Sequence, residues 1–240
     1  MSTYLLVHGA WHSGQAWERV VPLLTSAGHR VLAPSLTGHG DKAQLLSREV
    51  GLDTHVDDIV GLIVEQDLTE VILVGHSYAG LVISAVANQV PERIAELVFL
   101  DAMVPVDGET AVDVMPVTQV MIDLAAKAGS DWRIPPPEYP GSLGLFGVTD
   151  PADVAWLRTM LSDESVRCLQ QPVRLDNPFV TKIPRTHIHC VAGLPEGYSR
   201  RPVPAIQPNG TPAQVWELQT GHDSMITMPV ELTELLVKLG

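Results

Sequence analysis

Ser77 has the surroundings of a nucleophile. It stands in Val71-Ile72-Leu73-Val74-Gly75-His76-Ser77-Tyr78-Ala79-Gly80-Leu81, where an apolar run ends, the chain bends and a helical stretch begins. A sharp strand-to-helix turn strains the serine backbone, exposes its oxygen and demands small neighbours. Gly75 lies two residues before. The position two residues after is Ala79 rather than the glycine of the usual G-x-S-x-G pattern, but alanine is small and Gly80 follows. The helix beginning near Tyr78 would turn its partly positive N-terminus toward a developing oxyanion. The competing reading is a serine that merely caps a helix; the strand in front of it favours the nucleophile.

Such a hydroxyl needs a base to take its proton. The chain has nine histidines, and His222 stands out, in Thr220-Gly221-His222-Asp223-Ser224-Met225 between the last apolar run and the last helix. His8 and His12 flank the loop after the first strand, and His76 adjoins the nucleophile. His187 and His189 alternate on one strand face, the spacing of a metal pair, whereas His29, His39 and His55 read as ordinary loop or helix residues.

The elements that must position these groups alternate along the chain. Strands are expected at residues 4–8, 30–33, 71–74, 97–100, 186–191 and 214–218. Helices are expected at 17–27, 54–66, 78–89 and 229–239, the second with Val56, Ile59 and Ile63 on one stripe. Strands that are apolar throughout and separated by helices mean a parallel sheet covered on both faces. Right-handed crossovers gather the C-terminal strand ends on one edge, where sites form. Residues 105–182 interrupt the alternation with helices at 111–128 and 151–161 around Ile134-Pro135-Pro136-Pro137. This segment reads as a helical cap on a core of residues 1–104 and 183–240. Pocket candidates are Trp11, His12, Met103, Met115, Trp132, Phe146 and Trp156, with Phe179 nearby. Packing of the cap's own interior is the competing role for its aromatic residues.

Composition narrows the partners. The chain has 240 residues, 45% of them hydrophobic, enough for one compact domain. Its charge of −13, from 28 acidic and 15 basic residues, opposes phosphate backbones and anionic membranes. No leader or membrane-spanning stretch is apparent. Two scattered cysteines, Cys168 and Cys190, make neither a disulfide framework nor a zinc site. The expectation is a cytoplasmic protein with no metal or organic cofactor and a small-molecule substrate.

His8-Gly9-Ala10-Trp11-His12, Gly75-His76-Ser77-Tyr78-Ala79-Gly80, Leu100-Asp101-Ala102 and Gly221-His222-Asp223-Ser224-Met225 fall in the order and spacing of α/β hydrolases. The chain resembles the small enzymes related to plant methylesterases and hydroxynitrile lyases, with their bacterial esterase relatives. That resemblance implies the α/β-hydrolase fold, a six-stranded, mostly parallel sheet flanked by helices, with a helical cap insertion. It implies His222 as general base and an oxyanion hole made by the backbone N–H groups of Tyr78 and Ala10. The family usually places an aspartate after the penultimate strand, where this chain has only Glu196. Certain relatives seat the acid instead at the end of the strand after the nucleophile helix, and Asp101 occupies that position. Asp101 is therefore expected as the acid, with Glu196 as the alternative.

The resemblance implies a serine carboxylesterase working through a Ser77 acyl-enzyme on a small apolar or aromatic ester, carbamate or activated amide. One alternative is a hydroxynitrile lyase, but the related lyases carry lysine after the catalytic histidine and threonine at the place of Gly9, where this chain has Asp223 and Gly9. The other is a ligand-binding receptor on the same fold.

Overall fold

A computed structural model of the chain describes residues 1–138, 144–193 and 200–240. Among the described residues the strands are β1 (Thr3–Val7), β2 (Arg30–Leu32), β3 (Val71–His76), β4 (Ile94–Leu100), β5 (Arg133–Ile134), β6 (Glu164–Ser165), β7 (Arg185–Cys190) and β8 (Gln214–Leu218). Six of them form one parallel sheet in the order β2-β1-β3-β4-β7-β8; β5 and β6 pair antiparallel by themselves. β3, at the centre of the sheet, is buried along its whole length, as a sheet covered on both faces requires. Val7 pairs with Gly75 and His76 with Leu100, so β1, β3 and β4 end side by side.

The helices are α1 (Val21–Ser26), α2 (Leu52–Glu65), α3 (Ala79–Gln89), α4 (Ala111–Val114), α5 (Val117–Lys127), α6 (Pro151–Met160), α7 (Val166–Gln170), α8 (Ser224–Thr227) and α9 (Pro229–Val237). α2 buries Val56, Ile59 and Ile63, the stripe read from the sequence. Two expected helices are broken. Residues 17–27 divide into a 3₁₀ turn at Gly14–Trp17, capped by the Ser13 hydroxyl, and α1 with Pro22 in its first turn. Residues 111–128 divide into α4 and α5 with Pro116 between them, because proline offers no N–H to continue the first helix. No described helix is long and apolar enough to cross a membrane.

The segment between β4 and β7 lies across the loops at the C-terminal edge of the sheet. The Trp11 indole donates to the Ile134 carbonyl at 3.0 Å, and the Ser162 N–H donates to the Trp11 carbonyl at 2.9 Å. Gly147 meets Gly221 so closely that a Cβ on Gly147 would lie 2.6 Å from the Gly221 Cα. Phe179, considered above as a pocket residue, is 58% exposed beside Lys182, because its short 3₁₀ turn carries it onto the surface.

A buried ion pair fastens this segment to the core. Glu164, on β6, lies 3.1 Å from His39, both wholly inaccessible, and the other His39 nitrogen meets the Ser162 hydroxyl at 2.9 Å. Burial pushes the Glu164 carboxyl up, but His39, aided by His55 and the Cys168 thiol, outweighs this and brings it down to about 2. Beside it, His55 donates to the Thr37 carbonyl at 2.9 Å and accepts from the Tyr78 hydroxyl at 3.1 Å. His39, in a loop, and His55, in α2, are read from the sequence as ordinary loop or helix residues; the structure makes them buried links in the core.

Removing one partner of a buried pair leaves the other charge uncompensated. Glu164→Gln is expected to lower the unfolding free energy by about 3 kcal/mol, read from denaturant titration. A carboxyl depressed from 4.5 to about 2 contributes fully above pH 4.5 and loses its contribution as pH falls toward 2. The wild-type advantage over the variant should therefore shrink on acidification over that range.

Candidate active site

Ser77 sits at the apex of the turn from β3 into α3, with φ 56°, in the left-handed region that a residue with a Cβ seldom occupies. Three backbone hydrogen bonds hold it there. Its N–H donates to the Leu100 carbonyl at 3.2 Å, and its carbonyl accepts from Gly80 at 3.1 Å and Met103 at 2.9 Å. Small neighbours make the bend feasible. A Cβ on Gly75 would lie 2.8 Å from the Ala79 carbonyl oxygen, and one on Gly80 would collide with the Met103 carbonyl.

His222 arrives on the loop after β8. His76 donates from Nε2 to the His222 carbonyl at 3.1 Å, and the two imidazoles lie 4.5 Å apart, so residue 222 is fastened to the neighbour of Ser77. His222 Nδ1 meets the Asp101 carboxylate at 2.6 Å, leaving Nε2 at the opposite end of the ring. The Ser77 hydroxyl makes no hydrogen bond to a described residue in this resting arrangement; such contacts commonly tighten only with substrate in place.

Asp101 stands just beyond β4 with φ 43°, a second strained residue one strand over from the first. Its other carboxylate oxygen accepts from Arg200 at 2.6 and 3.1 Å and from the Cys190 N–H at 3.2 Å. Arg200 also donates to the Cys190 carbonyl. Burial opposes the Asp101 charge, yet His222 and Arg200 together hold the carboxyl below its ordinary value. Burial likewise opposes a charged His222, but the hydrogen bond and charge of Asp101, aided by Asp223, raise it above the usual imidazole value; Arg200 works against them. Glu196, the alternative acid, lies outside the described residues.

Gly9 lies against the nucleophile: a Cβ there would be 2.9 Å from the Ser77 Cβ. Ala10 and Tyr78 are 4% and 1% exposed, and among the described residues neither backbone N–H has an acceptor. Backbone donors near a serine that have no acceptor within the protein can receive an anion.

The expected pocket residues divide. Trp11 and Phe146 lie 6.0 Å apart, Phe146 is 6.4 Å from the His222 ring and 4.7 Å from the His12 ring, and Met103 is tied to Ser77 through its N–H. Met115 packs on the core at the end of α4. Trp132 and Trp156 are engaged elsewhere, under Arg133 and Arg19 at 4.6 Å each. An open cavity of about 1110 Å³ lies along Gln15, Glu18, Ser35, Asp41 and Ser162 and touches none of Ser77, His222 and Asp101.

Two triplets, His39-His55-Glu164 and His76-His222-Asp223, bring potential metal-ligating atoms within 4.8 Å of one another. In the first, both His55 nitrogens are hydrogen-bonded, and in the second, Asp101 holds His222 Nδ1. His187 and His189 are not part of either; His187 stacks on Phe99 at 5.1 Å.

Arg200 escaped sequence reasoning, for no local pattern announces an arginine that reaches back across 99 positions to a strand end. If Asp101 sets the His222 tautomer and supports its charge, Asp101→Asn lowers kcat by about 10⁴-fold. It also shifts the acid limb of the kcat/KM profile to lower pH, because the group raising the imidazole is gone. Steady-state rates across pH read both effects.

The chain matches the model of the alpha/beta hydrolase family over residues 4–235. The carbendazim hydrolyzing esterase of Nocardioides sp. (strain SG-4G) is 34% identical to it, with both chains covered in full. Salicylic acid-binding protein 2 of Nicotiana tabacum is 26% identical, over 99% of this chain and 96% of that one. An extracellular alpha/beta-hydrolase from a Paenibacillus species superposes with a TM-score of 0.84 at 27% identity, over 100% of this chain and 99% of the other. Sequence and architecture agree: this chain belongs to the alpha/beta hydrolase family.

Proposed function

We propose that this protein is a serine esterase that cleaves a small, largely apolar or aromatic carboxylic ester or carbamate. The observation that carries this reading is the 2.6 Å contact of His222 with Asp101 beside the strained Ser77 turn. In the proposed cycle Ser77 attacks the carbonyl carbon as His222 takes the hydroxyl proton. The carbonyl oxygen becomes an oxyanion held by the N–H groups of Tyr78 and Ala10. His222 returns the proton to the departing alcohol, leaving an acyl-serine. Water then repeats the sequence: His222 deprotonates it, it attacks the acyl carbon, and the regained proton goes back to Ser77 as the acid departs.

Asp101 orients His222 throughout and carries no proton itself. Trp11, Met103 and Phe146 supply the apolar surroundings for the substrate, and residues 105–182 act as the cap. Carbamate cleavage fits a relative named for hydrolysing carbendazim.

Lyase chemistry is less well supported. Threonine in place of Gly9 would press its Cβ on Ser77. The residue after His222 is an acid wholly removed from solvent, where a departing cyanide calls for a cation.

A panel of aryl and alkyl esters and carbamates is expected to reveal turnover that Ser77→Ala reduces by about 10⁴-fold or more, with a fluorophosphonate labelling the wild type only. Mandelonitrile should release no cyanide. Turnover undiminished in Ser77→Ala would refute the assignment.

A further inference from the structure

His12 is hydrogen-bonded at both ring nitrogens. Its Nδ1 lies 2.8 Å from the Ala10 carbonyl and its Nε2 lies 2.9 Å from the Asp223 carboxylate. The carbonyl only accepts, so Nδ1 donates to it, and the Nε2–carboxyl contact shares a proton between the ring and the acid. Asp223 has matching needs. It is wholly buried, one oxygen has no hydrogen-bond partner, and its good contact is with His12. A carboxyl buried in that position needs a hydrogen-bonding partner beside it.

The other titratable rings around this pair are accounted for as neutral donors or as the base. His8 donates from Nδ1 to the Gly9 carbonyl at 2.8 Å and accepts at Nε2 from the Leu36 N–H at 3.0 Å. His76 spends its Nε2 proton on the His222 carbonyl and stands 3.6 Å from the second Asp223 oxygen. Burial, followed by the neighbouring histidines, pushes His76 well below its ordinary value. The Phe146 ring covers His12 at 4.7 Å.

These contacts converge on the turn from Gly9 to His12, which closes with the His12 N–H on the Gly9 carbonyl at 3.3 Å. Trp11 has φ 65° at its third position and Ala10 has a negative φ at its second, the type II arrangement. That arrangement differs from the commoner type I by a flip of the central peptide, here Ala10–Trp11. His12 Nδ1 holds the carbonyl of that flipped peptide, and His8 holds the carbonyl of the preceding one. In a trans peptide the N–H points opposite to its C=O. Fixing the Gly9 carbonyl on the inner side therefore aims the Ala10 N–H the other way, and fixing the Ala10 carbonyl does the same for Trp11.

We infer that the buried, hydrogen-bonded His12–Asp223 pair orients the oxyanion turn from the loop that carries His222, making both residues positioning residues for acyl transfer. The inference rests on the esterase reading for its consequence and on the hydrogen-bond pattern for its existence. One loop thus serves both halves of the chemistry: residue 222 moves the proton, and residue 223, through His12, holds the central peptide of the turn whose Ala10 N–H receives the charge.

The test has two arms. In the first, NMR of the folded wild type should show a His12 ring N–H protected from solvent exchange and displaced in Asp223→Asn; a ring N–H that exchanges freely would overturn the pairing. In the second, Asp223→Ala and His12→Ala should each lower kcat about 100-fold, the scale of one lost oxyanion donor. KM should stay within about threefold, and the affinity for a trifluoromethyl ketone, whose serine adduct bears an oxyanion, should fall in step with kcat. The double variant should be no worse than either single one, since both remove the same device. Asp223→Asn should recover most of the loss, because its amide can donate to a neutral His12 that still holds the Ala10 carbonyl. Additive losses, a KM effect equal to the kcat effect, or no recovery by asparagine would contradict the proposal. Failure of the esterase reading itself would register separately, as a wild type without turnover or fluorophosphonate labelling whatever the state of the His12 ring.

Discussion

Everything at the sheet edge depends on keeping one serine in a backbone conformation that serine disfavours. A residue with a Cβ at φ 56° costs of order 1–3 kcal/mol, so it persists only where its surroundings leave no alternative. Here the surroundings are the end of β4, which accepts the Ser77 N–H, and the Met103 N–H, which binds its carbonyl. The absence of side chains at Gly75 and Gly80 lets α3 start immediately behind it. The same segment of chain places Asp101, itself in the left-handed region, one strand away. The strain at the two strand ends is shared through Leu100, whose carbonyl holds the first and whose sequence neighbour is the second.

Around that edge, three buried carboxylates each meet a cationic or imidazole partner, and each pair ties a different stretch of chain to the sheet. Glu164 with His39 brings in the segment between β4 and β7. Asp101 with Arg200 and His222 brings in the loops after β7 and β8. Asp223 with His12 joins the base loop to the turn after β1. Burying a charge is costly unless it is paired, so such pairs add specificity of arrangement more than net stability. In a chain of net charge −13, committing scarce cations and histidines to these buried acids leaves the acidic excess on the surface.

The fold and the nucleophile were legible because their signals are local. Apolar runs at β1, β3 and β4, the helical stripe of α2 and the bend at Ser77 are each written within a dozen residues. The breaks at Pro22 and Pro116 were also written there, and apolar periodicity on both sides of each proline hid them. The position of Asp101 at a strand end could be read, whereas its contact with Arg200 could not. Nor did His39 and His55, in a loop and a polar-looking helix start, show that they are buried around an acid more than 100 residues away. The pocket aromatics were only half legible. Trp132, Phe146 and Trp156 could be placed in the segment between β4 and β7 and Trp11 in the loop after β1, but whether each faces Ser77 or an arginine depends on three-dimensional packing that a pattern of residue types does not encode.

The central claim is that the hydroxyl at this strained bend becomes covalently acylated with the help of an imidazole from the far end of the chain. An activated aryl carbamate tests it most directly, since its carbamoyl-enzyme breaks down slowly enough to be isolated. Mass spectrometry of the quenched, digested protein is expected to find one carbamoyl group, on the peptide containing Ser77, and much slower accumulation in His222→Ala. Consumption of the carbamate with that peptide unmodified at every time point would contradict the account.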